Sequence, residues 1–562
     1  MRNNSKVISL LGVGALSQLG SANVQWSNCT DVNVGDVPAE CGILKVPLDY
    51  TERNSGKTLD LDLVRIPARR QPCIGSVLYN PGGPGVQARK ALVDDADGMF
   101  ALTASLGQRV DIMISLLLIL GTSQILSISF LFVCWETDLV SSGTRNALPF
   151  TCFNNTEEQS AAMLQTPQIW WDALTSPAIW TEASDTGLGK TWAIGQAAAE
   201  KCYQGHGEVG SLIGTAFAVR DMMEIVNALE PDGMLRYWGR WTPHGHFERK
   251  NANAHSCIGA SYGTILGATA AAMFPDRIDR MVLDGVAIPE DYYGGSVHDR
   301  QESQIVDSDK VFSHFFEACL QSPKYCALSA SNATAEVLEK QTWDLLEDIK
   351  YHPRTFNGTI IDHVRLKNGM LAALYSPSAW PSMAAGLYHL ANGNLTGFAE
   401  AWKSLDPKIG VQMATAGIRC SDRRPRHHDF EQFQRDIQDQ TKVSRFMGSA
   451  HSLLDAACPL WKVEAKERYN GSFEVRTKFP LLIIGNTGDF ITPLSSARNV
   501  SEGFEGSVLL HHDGYGHGSL AQVSQCTRDA TAAYYTNGTL PEKGTVCKPD
   551  YPPFEQPQSG EE

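Results

Sequence analysis

The chain has 562 residues, of which 43% are hydrophobic and 19% charged. This is ordinary globular composition, with enough length for one large domain carrying an insertion or for two domains. The formal net charge of -15 makes an acidic surface that repels phosphate backbones, so nucleic acid is excluded as an expected partner, and no heptad, tandem repeat or long low-complexity tract is present.

The N-terminus reads as a secretory leader over residues 1–22. Arg2 and Lys6 precede an apolar run from Val7 to Leu16, and small residues lead to Ala22 as the cleavage point. Asn-x-Ser/Thr sequons follow at Asn28, Asn154, Asn332, Asn357, Asn394, Asn470, Asn499 and Asn537, which fits a glycosylated surface. The 13 cysteines include no C-x-x-C pair, and outside the cell disulfides are their natural use. The short-range candidates are Cys29–Cys41, Cys152–Cys202, Cys319–Cys326, Cys420–Cys458 and Cys526–Cys547, with Cys73, Cys134 and Cys257 left over. Spacing alone does not prove the connectivity. The expected location is secreted and extracellular.

In chain order, the runs "GILKVPLDY", "LDLDLVRIPA", "GSVLYN", "VDIMIS", "LRYW", "RMVLDG", "FPLLIIGN" and "SVLLHH" read as buried strands. The later ones alternate with the helical patterns "AVRDMMEIVNALE", "TILGATAAAMF", "PLSSARNVSEGF" and "SLAQVSQCTRDATAAYY". Continuous apolar strands alternating with helices predict an α/β fold, a mostly parallel sheet with helices on both faces. Residues 23–289 supply the first part of the core and 476–550 the last part. Residues 290–475, mostly of helical pattern, are expected to form an inserted helical cap, and the proline-rich, acidic 551–562 a frayed tail.

Two stretches do not fit this frame. Ile112 to Trp135 holds no charged residue and is long enough to span a bilayer. A span there would put two parts of one sheet on opposite sides of a membrane, so a buried strand followed by an atypical insert, about 114–134, is the reading preferred. Arg240 to Gly259, "RWTPHGHFERKNANAHSCIG", is polar where a strand should run straight into a turn. His244, His246, His255 and Cys257 within it do not match zinc spacing, and a solvated loop is expected rather than a metal site.

The chemistry centres on "GASYGT", residues 259–264. A serine hydroxyl needs a base to take its proton, a third group to orient that base, and donors for the oxyanion that forms. The G-x-S-x-G pattern supplies a strained strand-to-helix turn on which Ser261 is lifted above the sheet. The helix after it is rich in small residues (Gly267, Ala268, Ala270, Ala271, Ala272), so it can lie close to the sheet. The acid and base are expected later, in the order Ser, Asp, His. Asp489 follows the apolar strand of "LLIIGNTGDFITPL", and Thr492 is expected to cap a helix whose first residue is Pro493. His517 sits between glycines in "SVLLHHDGYGHGSL". Both lie at carboxyl ends of strands, the edge where parallel sheets carry ligands. His511 and His512 compete for the role of base, but one of them should point into the sheet packing. Asp284 competes for the role of acid, since it too ends a strand. For the oxyanion, the N–H of Tyr262 and those of Gly82 and Gly83 in "VLYNPGGPG" are expected, because glycine lets backbone approach a substrate closely. This chemistry requires no metal or cofactor.

Together "NPGGPG", "YWG…ASYGT", "FPDRIDRMVLDGV", "GNTGDFITPL" and "GYGHGS" resemble the secreted α/β-hydrolases related to tripeptidyl aminopeptidases and proline iminopeptidases, from about Cys41 to Cys547. Residues 420–550, with Cys458 and Trp461, look like the C-terminal region of the tripeptidyl aminopeptidase branch. The resemblance implies an α/β-hydrolase fold and a serine exopeptidase whose substrates are peptides with free N-termini. Residue spacing alone implies only a serine hydrolase. An esterase or lipase on the same scaffold, and a non-catalytic protein of this fold, are the alternatives.

The chain departs from the family pattern twice. Relatives join "YWG" directly to the nucleophile turn, and deleting Arg240–Gly259 restores "LRYWGASYGT". They also carry an Asp-x-Arg-Gly-like turn after the fourth strand, where this chain has "ISLLLILGTSQILSISFLFVCWETDLVSSGTRNALPF". Cys134 and Cys257 fall in these stretches, which read as translated intron sequence or another gene-model fault; finding both in the mature transcript refutes that.

Overall fold

The computed structural model describes residues 24–29, 39–67, 75–80, 111–115, 179–239, 262–294, 303–406 except 332, 413–426 except 425, 429–451, 456–555, and all but 151, 156 and 159 between 150 and 161. The leader, both atypical inserts, Ser261, Gly82, Gly83, Cys73, Cys134 and Cys257 lie outside the described residues.

In chain order the strands are β1 (Ser27–Asn28), β2 (Glu40–Pro47), β3 (Thr58–Ile66), β4 (Ser76–Asn80), β5 (Asp111–Ser115), β6 (Ile179–Trp180), β7 (Leu235–Gly239), β8 (Ile278–Asp284), β9 (Arg354–Phe356), β10 (Thr359–Ile361), β11 (Ala450–His451), β12 (Leu482–Gly488), β13 (Val508–Tyr515) and β14 (Val546–Cys547). Ten of them form one sheet, in the order β1-β2-β3-β5-β4-β7-β8-β12-β13-β14. β1, β2, β3 and β5 pair antiparallel in sequence across the sheet. From β5 onward every neighbouring pair is parallel.

The burial patterns follow from this pairing. β2, at the antiparallel end, alternates, with Leu44 and Val46 buried and Ile43 51% exposed, as expected of a strand with one solvated face. β12, deep in the parallel part, is buried at nearly every position. Alternate side chains of the central strands leave on opposite faces. Leu283, Leu481 and Ile483 pack with the helices Thr215–Leu229, Tyr262–Met273 and Leu494–Gly503. Val282, Leu482 and Ile484 pack with Tyr534 and Tyr535 of the helix Gln525–Asn537. Both faces are therefore covered, in the α/β-hydrolase arrangement that the family resemblance implies.

The helix Tyr262–Met273 lies as close to the sheet as its small residues predict. A Cβ added at Gly267 would stand 2.6 Å from both Leu283 and Tyr237 side-chain atoms, inside any real contact. The Tyr237 hydroxyl donates to the Gly263 carbonyl at 2.7 Å, fixing the first turn of this helix to β7.

Between β8 and β12 the chain builds a helical cap with its own core around Phe312, Phe315, Trp380, Phe398 and Trp402. Its helices include Ser308–Gln321, Ala335–Tyr351, His363–Leu374, Trp380–Ala391 and Leu395–Trp402, with β9 and β10 as a hairpin. The span 290–475 is not uniform, however. Ala414, Ile418 and Cys420 of the helix Met413–Asp422, together with Cys458, Trp461 and Val463, pack in the main core beneath the sheet. Apolar periodicity marks a helix but not which of two cores receives it. The start of the tail, residues 551–555, is placed against the cap, and residues 556–562 lie outside the described residues. Pro553–Glu555 is a 3-10 turn whose Phe554 is buried against Phe315 and Trp380 of the cap. Burial of Phe554 stabilises the described part of this proline-rich end, residues 551–555.

The disulfides Cys29–Cys41, Cys152–Cys202, Cys319–Cys326, Cys420–Cys458 and Cys526–Cys547 are those expected from spacing. The sequon residues Asn28, Asn154, Asn357, Asn394, Asn470, Asn499 and Asn537 are all exposed; Asn332 lies outside the described residues. Among the described residues no helix is long and apolar enough to cross a membrane.

Candidate active site

Parallel pairing in register brings the ends of the strands that carry the expected site to one edge. Asn80, at the end of β4, is level with Gly239, at the end of β7. Gly239 is level with Leu283, next to the last residue of β8. Asp284 pairs with Ile484 of β12, and Gly488 with Tyr515 of β13. Asp489 and His517 thus leave the sheet at the edge where β4, β7 and β8 end.

Asp489 follows Gly488 directly and is completely buried. Oδ1 accepts from the Thr492 N–H at 2.8 Å and the Ile491 N–H at 3.1 Å. Oδ2 accepts from the Thr492 hydroxyl at 2.7 Å and the Gly518 N–H at 2.9 Å. His517, also fully buried, places Nδ1 2.8 Å from Oδ2 and 3.1 Å from Oδ1. A carboxylate has the acceptor capacity for this many donors, and such a cage leaves it little freedom to rotate. Thr492 is therefore not the expected helix cap. The helix begins at Leu494 after Pro493, and no side chain caps it. The hydroxyl goes to the carboxylate instead, and its oxygen lies 3.0 Å from Nδ1 of His517.

The turn holding His517 needs both of its glycines. Gly516 and Gly518 have φ of 92° and 71°, values that L side chains rarely adopt. Asn486 of β12 ties this turn to its neighbour, donating to the Gly516 carbonyl at 2.7 Å and accepting from the Gly514 N–H at 3.1 Å.

The competing residues are otherwise engaged. Asp284 accepts from the Ser519 N–H at 2.9 Å and the Ser519 hydroxyl at 2.6 Å. It anchors the chain just after His517, not the imidazole itself. The contact carries information about direction: the loop leaving β13 passes over the end of β12 to reach the end of β8. His511 pairs through Nε2 with the Thr487 hydroxyl at 2.6 Å. His512 is fully buried in the sheet packing, with Nδ1 2.9 Å from the Thr527 hydroxyl, and burial lowers its pKa, favouring neutral imidazole.

Tyr262 is the first residue of its helix, and its buried hydroxyl exchanges a 2.8 Å hydrogen bond with the Thr215 hydroxyl. Thr215 donates its hydroxyl to Oδ2 of Asp422 at 2.6 Å and its N–H to Oδ1 at 3.0 Å, and Tyr292 donates to Oδ2 at 2.9 Å. Sequence reading missed this network. It joins the residue after Ser261 to a carboxylate far along the chain, and no local pattern marks it. Burial pushes the Asp422 carboxyl up from 3.8 to about 6, against the opposing pull of the Thr215 and Tyr292 hydrogen bonds. Because the folded value lies above the unfolded one, folding takes up a proton. The stability from this group is complete below about pH 4 and is lost as pH rises through about 6, a total of about 3 kcal/mol. Asp422→Asn should remove this fall, which urea midpoints of both chains at pH 4, 5, 6 and 7 would measure; identical slopes would refute it.

Among the described residues no group of three or more His, Cys, Asp and Glu side chains could hold a metal ion. The arrangement offers a buried, oriented imidazole backed by a caged carboxylate at the edge of a parallel sheet, which suits proton transfer to and from a nucleophile.

The chain is similar to known peptidases and to an esterase. Residues 444–547 match the family described as TAP-like protein. The tripeptidyl aminopeptidase of Streptomyces lividans is 24% identical over 96% of this chain and 89% of its own length. Serine protease Hip1 of Mycobacterium bovis is 24% identical over 93% and 91%, and carboxylesterase B of Mycobacterium tuberculosis is 24% identical over 93% and 90%.

Proposed function

Given that the chain is a serine hydrolase of the α/β-hydrolase class with a TAP-like C-terminal region, we propose that it is a secreted exopeptidase releasing short peptides or residues from free N-termini. In this reading Ser261 attacks the scissile carbonyl and His517 takes its proton. With Nδ1 bonded to Asp489, that proton passes through Nε2, which then hands it to the leaving amine. Asp489 orients the imidazole and balances its charge. The N–H groups of Tyr262 and Gly82–Gly83 hold the oxyanion, and water releases the acyl group in a second half-reaction run by the same imidazole. The observation that carries the reading is the buried Asp489–His517 pair at the ends of successive parallel strands. The peptidase relatives support peptide substrates. The disulfides and exposed sequons support export.

The test is product analysis on a peptide panel with free and blocked N-termini, together with labelling by a fluorophosphonate probe. Free N-termini should be required, and labelling should vanish in Ser261→Ala. The carboxylesterase relative favours one second reading, an esterase. Strong turnover of acyl esters with none of tripeptidyl anilides would establish it. Absence of labelling would point to a non-catalytic protein of this fold.

A further inference from the structure

We propose that Tyr375, at the corner of the cap, is a positioning residue for the imidazole of His517, so that the cap completes the catalytic centre as well as screening it. This rests on the reading of His517 as the general base.

Tyr375 ends the helix His363–Leu374 and is 3% exposed. Its carbonyl accepts from the His517 N–H at 2.9 Å, tying the main chain of the base to the cap. Its ring stands perpendicular to the imidazole, with centroids 5.5 Å apart. The same ring stands at 88° to Phe490, with centroids 4.9 Å apart, and Phe490 is the residue after Asp489. One cap side chain thus touches both the turn that carries the acid and the turn that carries the base. The approach is close enough to dictate sequence: a Cβ at Gly516 would lie 2.7 Å from the Tyr375 carbonyl oxygen and 2.9 Å from Cδ of Pro377.

The physical need for such a residue is specific. The bond from Nδ1 to Asp489 and the covalent attachment through Cβ hold two points of the imidazole, so tilt of the ring plane about the line joining them is its softest motion. Tilt sets where Nε2 points, and a misplacement of about 1 Å at a reacting atom costs on the order of 100-fold in rate. Edge-to-face packing against a ring that is itself wedged on Phe490 restrains that tilt.

The test uses the full chain with Tyr375→Leu, which keeps an apolar side chain without a planar ring, and Tyr375→Phe, which keeps the ring. Two readouts are taken. One is the downfield proton resonance of the His517 Nδ1–H, assigned by its loss in Asp489→Asn. The other is kcat and KM on a peptide anilide. In Tyr375→Leu the resonance should broaden or disappear, and kcat should fall about 10- to 100-fold with KM within a few-fold. Tyr375→Phe should restore both. If Tyr375→Leu does not fold, Tyr375→Met replaces it, and the resonance is read without need of turnover. A resonance unchanged in a folded, ring-less variant would overturn the proposal while leaving the base assignment intact. Full activity in His517→Ala would instead overturn the base assignment, and the proposal with it.

Discussion

His517→Ala should lower kcat by on the order of 10⁵- to 10⁶-fold, and Asp489→Asn by about 10⁴-fold. In the proposed mechanism the imidazole is the group that takes the serine proton, so its loss removes the general base. The aspartate change is subtler. An amide at 489 offers an N–H where Nδ1–H now finds an acceptor, so the imidazole would adopt the other tautomer and present a protonated Nε2 to the nucleophile. The Thr492 hydroxyl and the Gly518 N–H, both bonded to Oδ2, would lose their acceptor at the same time. Asp284→Asn is the discriminating control. Its carboxylate holds Ser519 and not His517, so its loss should lower the melting temperature more than it lowers turnover. Steady-state kinetics on a tripeptidyl anilide decides this, and a larger loss of kcat at 284 than at 489 would exchange their roles.

Deleting Arg240–Gly259 should raise the rate of acylation by a fluorophosphonate by at least about 100-fold, the scale of loss that a misplaced nucleophile produces. β7 ends at Gly239, and the next described residue, Tyr262, already begins the helix. The deletion would leave Ala260 and Ser261 alone between strand and helix, the length that a strand-to-helix nucleophile turn requires. The ends are in place to accept it: β7 is registered against β4 and β8, and the Tyr237 hydroxyl already holds the Gly263 carbonyl. Slower acylation in the shortened chain, with its melting temperature unchanged, would show that the segment belongs to the working protein.

The linear chain determined whatever depends on neighbours in sequence. Strands such as Leu482–Gly488 are short apolar runs, and the helix after Ser261 declares its closeness to the sheet through Gly267 and its alanines. Four of the five disulfides join each cysteine to its nearest cysteine in the chain, while Cys152 pairs with Cys202, 50 residues on, although Cys134 is nearer. The Asp489–His517 pair was legible because parallel sheets carry ligands just past their strand ends, and Gly488–Asp489 and Gly516–His517 mark such ends. Tertiary structure alone decided which of several equivalent polar groups meet. Nothing local tells Asp284 to hold Ser519 while Asp489 holds His517, or sends the Thr492 hydroxyl to a carboxylate in place of a helix end. The helix Met413–Asp422 is as amphipathic as its cap neighbours, yet it enters the main core and brings Asp422 to Thr215. Tyr375 reaches His517 only because an inserted cap folds back over the sheet. Periodicity records that a face is buried; what it is buried against is a property of the packed molecule, set by contacts between residues far apart in the chain.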